Sequence, residues 1–243
     1  MKKYVLGLFL ILSFYKLSAQ EVKSNEFGSW HTVINKFTIS EKFYAVNVSQ
    51  LRMVDFVQDS RVFLLTPGLN YKLNNKISFG LGYVYLNYKP AGIRIPSLDY
   101  EDRIFQQVSL SSSYYNFKIG QRVRFEERFK TTLNNSSSYA NRLRYRINFD
   151  FNLVRFTNGK HLLGKVSEEL RIRFGSGLNK PDFDQNNFSA LLGYKLFDNS
   201  SLYFGYGRDF YKRSNADYWG DHLLHIVLNY NIDFSKMKVI AGL

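Results

Sequence analysis

The sequence predicts an all-β chain, a transmembrane, antiparallel, up-and-down β-barrel of about 10–12 strands. Three observations predict it. First, consecutive segments place aliphatic and aromatic residues on one face and arginines on the other. Phe117, Ile119, Val123, Phe125 and Phe129 alternate with Lys118, Arg122, Arg124, Glu126 and Arg128. Leu143, Tyr145, Ile147, Phe149 and Phe151 alternate with Arg142, Arg144, Arg146, Asn148 and Asp150. Val166, Leu170, Ile172 and Phe174 alternate with Lys165, Ser167, Glu169, Arg171 and Arg173. A period of two means strands. The apolar face is too aromatic and too continuous for one side of a small core, and the other face is ionic. Lipid outside and a polar lumen inside fit that pattern. Second, the connections alternate between short and long. Third, after the leader no stretch approaches the roughly 20 apolar residues of a spanning helix.

The elements follow in order. Residues 1–19 read as a secretory signal: Lys2 and Lys3, an apolar run from Tyr4 to Tyr15, then Leu17-Ser18-Ala19 as a cleavage site. Residues 20–40 form an N-terminal segment, with a strand-like stretch near 27–36. The barrel occupies 41–234, and 235–243 is a C-terminal tail. Strands are expected near 41–54, 61–73, 76–88, 100–114, 117–130, 139–152, 162–174, 187–197, 200–211 and 221–234. The segment 41–54 mixes its faces, which suggests a bulge. Short turns fall at Asn74-Asn75, around Tyr115-Asn116 and at Asp198-Asn199-Ser200. Long connections fall at 89–99, 131–138, 175–186 and 212–220, rich in Gly, Pro, Asn and Ser. Bacterial barrels put short turns on the periplasmic side and longer loops outside. Ten strands from 41 to 234 then close evenly, and 27–36 is left over. It is a periplasmic or lumenal segment, or a twelfth strand escapes notice; ten strands plus an ordered N-terminal segment is the expectation.

Composition bounds the function. Aromatics make up 17% of the chain and suit interfacial girdles. The chain has no cysteine, so lipid anchoring through an N-terminal cysteine, disulfides and thiolate metal sites are out. The formal charge is +13, and loss of Lys2, Lys3 and Lys16 with the leader makes it +10. Nucleic acid is set aside as a partner, because the arginines alternate along strands rather than cluster on a helix or arm. Outer-membrane lipid, lipopolysaccharide phosphates and a small anionic solute are the expected partners, in a bacterial outer membrane. The last strand alternates Leu224, Ile226, Leu228, Tyr230 and Ile232 and reaches Phe234. It resembles the signal read by the barrel assembly machinery, although Ser235–Leu243 follows the aromatic.

Several motifs extend over the mature chain: Phe27-Gly28-Ser29-Trp30, Glu101-Asp102-Arg103-Ile104-Phe105-Gln106-Gln107, Arg122-Val123-Arg124-Phe125-Glu126-Glu127-Arg128-Phe129 and Arg142-Leu143-Arg144-Tyr145-Arg146. With them the chain resembles uncharacterised outer-membrane β-barrels of Bacteroidota, a domain of unknown function. The resemblance implies a barrel and an outer-membrane address and carries no activity.

The candidate site is a basic ladder on the predicted lumen face: Arg122, Arg124, Arg128, Arg142, Arg144, Arg146, Arg171 and Arg173, joined by Lys118 and Lys165. The expected counter-charges are Glu101, Glu126, Asp150 and Glu169. Two readings fit. Guanidinium forks and carboxylates fill a narrow barrel with a structural network, or an excess of base makes an anion-selective lumen. Glu101, Arg103, Phe105 and Gln107 are expected to face inward, leaving Gln106 outside. Gly80, Gly82, Gly193, Gly205 and Gly207 on the lumen side are expected to make room for opposing arginines or for curvature. His222 and His225 lie three apart and face opposite sides, so one strand face holds no two-histidine metal site. His31 and His161 read as edge or turn residues. Asp182 and Asp184 fall in a predicted loop, with too few ligands around them for Ca²⁺. No metal, no cofactor and no catalytic residues are expected. The competing classes are a lipid- or lipopolysaccharide-acting enzyme, with His225 oriented by Asp221 or Asp209, and a soluble lipocalin-like binder.

Overall fold

A computed structural model describes residues 22–235, apart from 24–25, 57–58, 90–98, 133, 158, 176–177 and 213–217. The expected leader and most of the tail therefore lie outside the described residues, as does most of the 89–99 connection. No helix occurs among the described residues. The strands are β1 (Val22–Lys23), β2 (Phe27–Thr38), β3 (Phe43–Val54), β4 (Asp59–Lys72), β5 (Ile77–Tyr88), β6 (Asp99–Tyr114), β7 (Phe117–Thr131), β8 (Ser137–Arg155), β9 (His161–Phe174), β10 (Asp182–Phe197), β11 (Ser200–Lys212) and β12 (Tyr218–Asp233). Each from β2 to β12 pairs antiparallel with the next, and β12 returns to β2, closing an eleven-stranded barrel.

The closure corrects the expected strand count. The N-terminal segment is not an appendage to ten strands. It is β2, a full wall strand, and the barrel begins at Phe27 rather than near residue 41. With an odd number of alternating strands the first and last must run the same way. β12 and β2 accordingly pair in parallel, from His222↔Phe27 to Asp233↔Thr38. Backbone bonds extend the seam at both ends, from His222 N to Glu26 O (2.9 Å) and from Phe234 N to Thr38 O (2.9 Å). β1 continues the line, parallel to Tyr218–Trp219 of β12. Even counts are the rule for single-chain bacterial barrels. From β3 onwards the ten strands alternate in direction as expected, and β2 joins them through the parallel seam.

Every connection longer than the tight turns that ends a described strand at Val54, Tyr88, Thr131, Phe174 or Lys212 lies at one end of the barrel, called here the long-connection end. The turns after Thr38, Lys72, Tyr114, Arg155 and Phe197 lie at the other, the short-turn end. The longer turn between β8 and β9 folds back at Gly159, whose φ of +76° favours glycine, and Gly159 N donates to Phe156 O at 3.1 Å. The bulge expected in 41–54 is absent: β3 keeps a continuous register with β2, and the shift beside Arg52/Met53 leaves Arg61 of β4 as the extra residue.

The outer face is apolar and exposed: Leu81 is 66% accessible, and Ile104, Leu192 and Phe204 are similarly bare. Rings pair near both rims. At the short-turn end these include Phe43–Tyr71, Tyr114–Phe117 and Phe37–Phe234. At the other end they include Phe129–Tyr139, Tyr85–Tyr100 and Phe27–Phe56. Outward polar residues find one another, as in Asn186 Nδ2 to Glu168 Oε1 (2.8 Å) and Tyr206 Oη with His222 Nδ1 (2.7 Å). Gln106 lies outside, as the alternation requires.

Candidate functional site

The lumen holds what the outer face excludes. Because side chains alternate, the arginines of β7, β8 and β9 enter the barrel interior, and the antiparallel register sets them side by side: Arg122↔Arg146, Arg124↔Arg144 and Arg144↔Arg171. Like charges directly opposite repel, so the arrangement depends on the acids between them.

Glu126 on β7 is the hub. It is fully buried. Arg142 donates to its Oε2 through Nη2 (2.6 Å) and Nε (2.9 Å), and Arg144 Nη1 donates to its Oε1 at 2.5 Å. Arg103 and Arg124 stand 3.8 and 3.7 Å away. Glu169 on β9 is the second hub, shared by Arg122 (2.6 Å), Arg144 (2.5 Å) and Arg171 (2.8 Å). Glu101 on β6 takes Arg103 (2.7 Å) and Arg128 (2.5 Å). Arg124 forks onto Gln107 Oε1 (3.0 and 2.8 Å) and lies 3.8 Å over the Phe105 ring. Glu101, Arg103, Phe105 and Gln107 thus share the inner face of β6.

Other expected members lie elsewhere. Asp150 meets the ladder through Lys165 rather than through an ion pair with an arginine. It accepts from Lys165 (3.2 Å) and Asn148 (2.6 Å) near the short-turn end. Arg173 sits at the opposite rim, about one-third exposed, 3.7 Å from Asp182. Arg146 faces the lumen with no hydrogen bond or ion pair to any described residue.

The network also recruits residues that the alternation did not identify. Asp184 accepts from Arg142 at 3.1 Å and stands 3.8 Å from Arg128. Gln185 bridges Arg171 and Asp209. Asp182 and Asp184 belong to β10, not to a loop, and are bound by Lys212, Arg173 and Arg142. The register of β10 on β9 shifts between Phe183 and Gln185, a bulge that turns two neighbouring residues inward. Arg52 of β3 lies 3.9 Å over the Trp30 ring and donates to Gln50 Oε1 at 2.7 Å. Trp30 in turn packs on His225, centroids 5.1 Å apart.

The lumen glycines make room mostly for rings rather than for arginines. A Cβ on Gly82 would meet Phe105 at 2.3 Å, on Gly193 Tyr203 at 2.4 Å, and on Gly207 His225 Nε2 at 2.3 Å. A Cβ on Gly80 would meet Asn70 and Gln107. Gly205 lets backbone approach, its Cβ position lying 2.2 Å from Ala190 O. His31 lies within β2, outward beside Ser29 (3.0 Å), not at an edge or turn. His161 opens β9. Asp209 is held by Gln185 and Asn187 and does not orient His225. Among the described residues no cluster of His, Asp and Glu could hold a metal ion.

The charge is polarised along the barrel. Glu101 and Asp184 are the third residues of β6 and β10, close to the long-connection end. With Glu126, Arg103, Arg128 and Arg142 they fill that half. Below lies a cavity of about 300 Å³ lined by seven arginines and Lys165 against one carboxylate, Glu169. It shares Arg122, Arg146 and Asn148 with a cavity of about 370 Å³ that reaches the Asn74–Lys76 turn. That one shares Lys36, Lys118 and Asp150 with a cavity of about 730 Å³ at the Tyr115 turn. The lower lumen is thus a basic vestibule facing the short-turn end.

Compared with known proteins, the chain matches one family model over residues 27–220, described as "Protein of unknown function (DUF2490)". No curated protein and no solved structure matches it significantly.

Proposed function

The chain belongs to the DUF2490 family of proteins of unknown function, and we propose the following reading: a non-enzymatic outer-membrane β-barrel whose basic vestibule admits small anions from the short-turn, periplasmic end. The exposed apolar wall and the ring pairs near both rims support the membrane address. An inside-out pattern of this kind disfavours a lipocalin-like binder, whose apolar face turns inward.

The observation that carries the reading is the split in the lumen. The half nearer the long connections is filled by buried guanidinium–carboxylate pairs centred on Glu126. The other half lines adjoining cavities with Arg122, Arg146, Lys118, Lys165, Lys36 and Lys72. Rings of such groups favour anions. The filled half makes the lumen a place where anions enter and bind rather than a wide pore.

Two measurements test it on the refolded, heat-modifiable barrel. In a planar bilayer under a salt gradient, only small currents are expected, with an anion-selective reversal potential. Large unselective steps or cation preference would overturn the reading. In a Trp219→Phe variant, iodide is expected to quench Trp30, which lines the central cavity, far more than caesium does. Equal quenching by both ions would remove the basic vestibule as a selective surface.

A further inference from the structure

Three guanidinium groups, those of Arg122, Arg144 and Arg171, share the single carboxylate of Glu169. Arg146 stands beside them with no partner among the described residues. The Arg122 Nε is buried and finds no protein acceptor, and neither does Nε2 of His225, which is 6% exposed. All of these groups line the central cavity. Arg122 shares its one carboxylate with two other arginines, and the partly buried Arg146 contacts none, so the cavity is short of negative charge at a defined place, the β7–β8 wall.

The opposite wall is unlike it. Ile34, Val48, Leu191 and Val227 face the same cavity from β2, β3, β10 and β12. Leu191, Val227 and Tyr203 form a packed apolar cluster with Ile34 and Leu163 against it. A lumen that only passes ions has no use for a greasy wall facing its free arginines. An inorganic ion there would satisfy the guanidiniums and leave the apolar side wet. An organic anion would satisfy both sides, releasing water from the apolar surface. At about 300 Å³ the cavity is at the small end for ligand pockets.

We propose that this cavity binds a compact organic anion, one carboxylate or phosphate carried on a short apolar body. The anionic group is held by Arg146 and the free edge of Arg122, and the body lies on Ile34, Val48, Leu191 and Val227. The guanidinium fork suits either head group, since both accept two parallel N–H bonds. Entry is from the short-turn end, through the cavities that share Arg122, Arg146 and Ile34 with this one.

The test uses the full mature barrel in zwitterionic nanodiscs and fluorine NMR. The probes are 4-fluorobenzoate and 4-fluorophenyl phosphate. Trifluoroacetate is the head-only control and fluorobenzene the body-only control. Saturable binding of at least one aromatic anion is expected, at least tenfold tighter than either control. Arg146→Gln is expected to weaken it about tenfold or more, the loss of one charge-assisted bond. Because Arg146 makes no hydrogen bond or ion pair with a described residue, that variant keeps the heat-modifiable mobility of the parent. Val227→Asn is expected to weaken the aromatic anions and leave trifluoroacetate unchanged. Equal affinity for trifluoroacetate, or binding indifferent to Arg146→Gln, would overturn the proposal, as would the absence of any saturable signal. The site rests on the vestibule being reachable from the short-turn end. Iodide reaching Trp30 while the aromatic anions fail to bind would sink this site alone; failure of both would sink the reading beneath it.

Discussion

Replacing Glu126 by Gln keeps the shape of the hub and removes its charge. The side chain is wholly buried and closes two direct ion pairs, with Arg142 at 2.6 Å and Arg144 at 2.5 Å. Losing one partner of a buried pair typically costs about 3–5 kcal/mol, because the other charge stays behind without compensation. Here both arginines keep a second acid, Asp184 at 3.1 Å for Arg142 and Glu169 at 2.5 Å for Arg144. Gln also retains one carbonyl acceptor. Both facts argue for the lower end, about 3 kcal/mol. Equilibrium urea unfolding of the barrel in lipid vesicles, followed by tryptophan fluorescence, measures it. Arg173→Gln is the control. Its pair with Asp182 is long, at 3.7 Å, and about a third exposed, so it should cost under about 1 kcal/mol. If Glu126→Gln costs no more than the rim control, the network does not hold the lumen together, and the polarised-lumen argument fails with it.

Three further outcomes are expected. Leu81→Arg, at a 66%-exposed position in the middle of β5, should cost about 2–4 kcal/mol in a bilayer; a change within about 0.5 kcal/mol, normal for a solvated surface site, would contradict the membrane address. Gly205→Ala should destabilise more than Gly207→Ala, because the new methyl would meet backbone at Ala190 O (2.2 Å) in the first case and the end of the His225 ring in the second; thermal loss of heat-modifiable mobility ranks them. Cysteines placed at Val33 and Leu228, partners across the parallel seam, should oxidise to a disulfide in this cysteine-free chain, whereas Val33 with Leu224 should not; the reverse outcome would reject the eleven-strand closure.

The period-two alternation of Arg142–Phe151 or Phe117–Phe129 is a local signal, and it places side chains on the correct faces with no knowledge of the partner strand. What the chain hides is non-local. Nothing in Phe27–Thr38 says that it pairs in parallel with a strand nearly 200 residues away (Phe27 with His222), and counting strands under an even-number rule discards it. The bulge at Phe183/Gln185 breaks the alternation just where Asp184 and Gln185 enter the network, so both escape a period-two reading. Arg52 is missed for another reason: it keeps the period of two with Val46, Val48 and Gln50, but that inner face is apolar or neutral, so the two faces of β3 look alike. The ladder lists Arg122, Arg144 and Arg146 as equals. Which of them holds a carboxylate depends on diagonal distances between strands, and spacing along one strand does not encode those.

That inequality is what supports the proposed anion reading of the ladder over filling alone. A lumen filled for stability alone would spread its acids among its bases along the whole axis, since each unpaired buried guanidinium costs free energy. Here Glu101, Glu126, Asp184 and Asp209 gather in the half towards the long connections, and Arg146, Lys36, Lys72 and Lys118 face the other half, where Glu169, Asp150 and Asp233 are outnumbered by bases. The imbalance has a direction, and it faces cavities rather than packed side chains. Filling explains the upper half, where Arg142 and Glu126 are buried to within a few per cent. It leaves the lower half unexplained, and under the proposed reading an anion arriving from the short-turn end would supply the missing charge there.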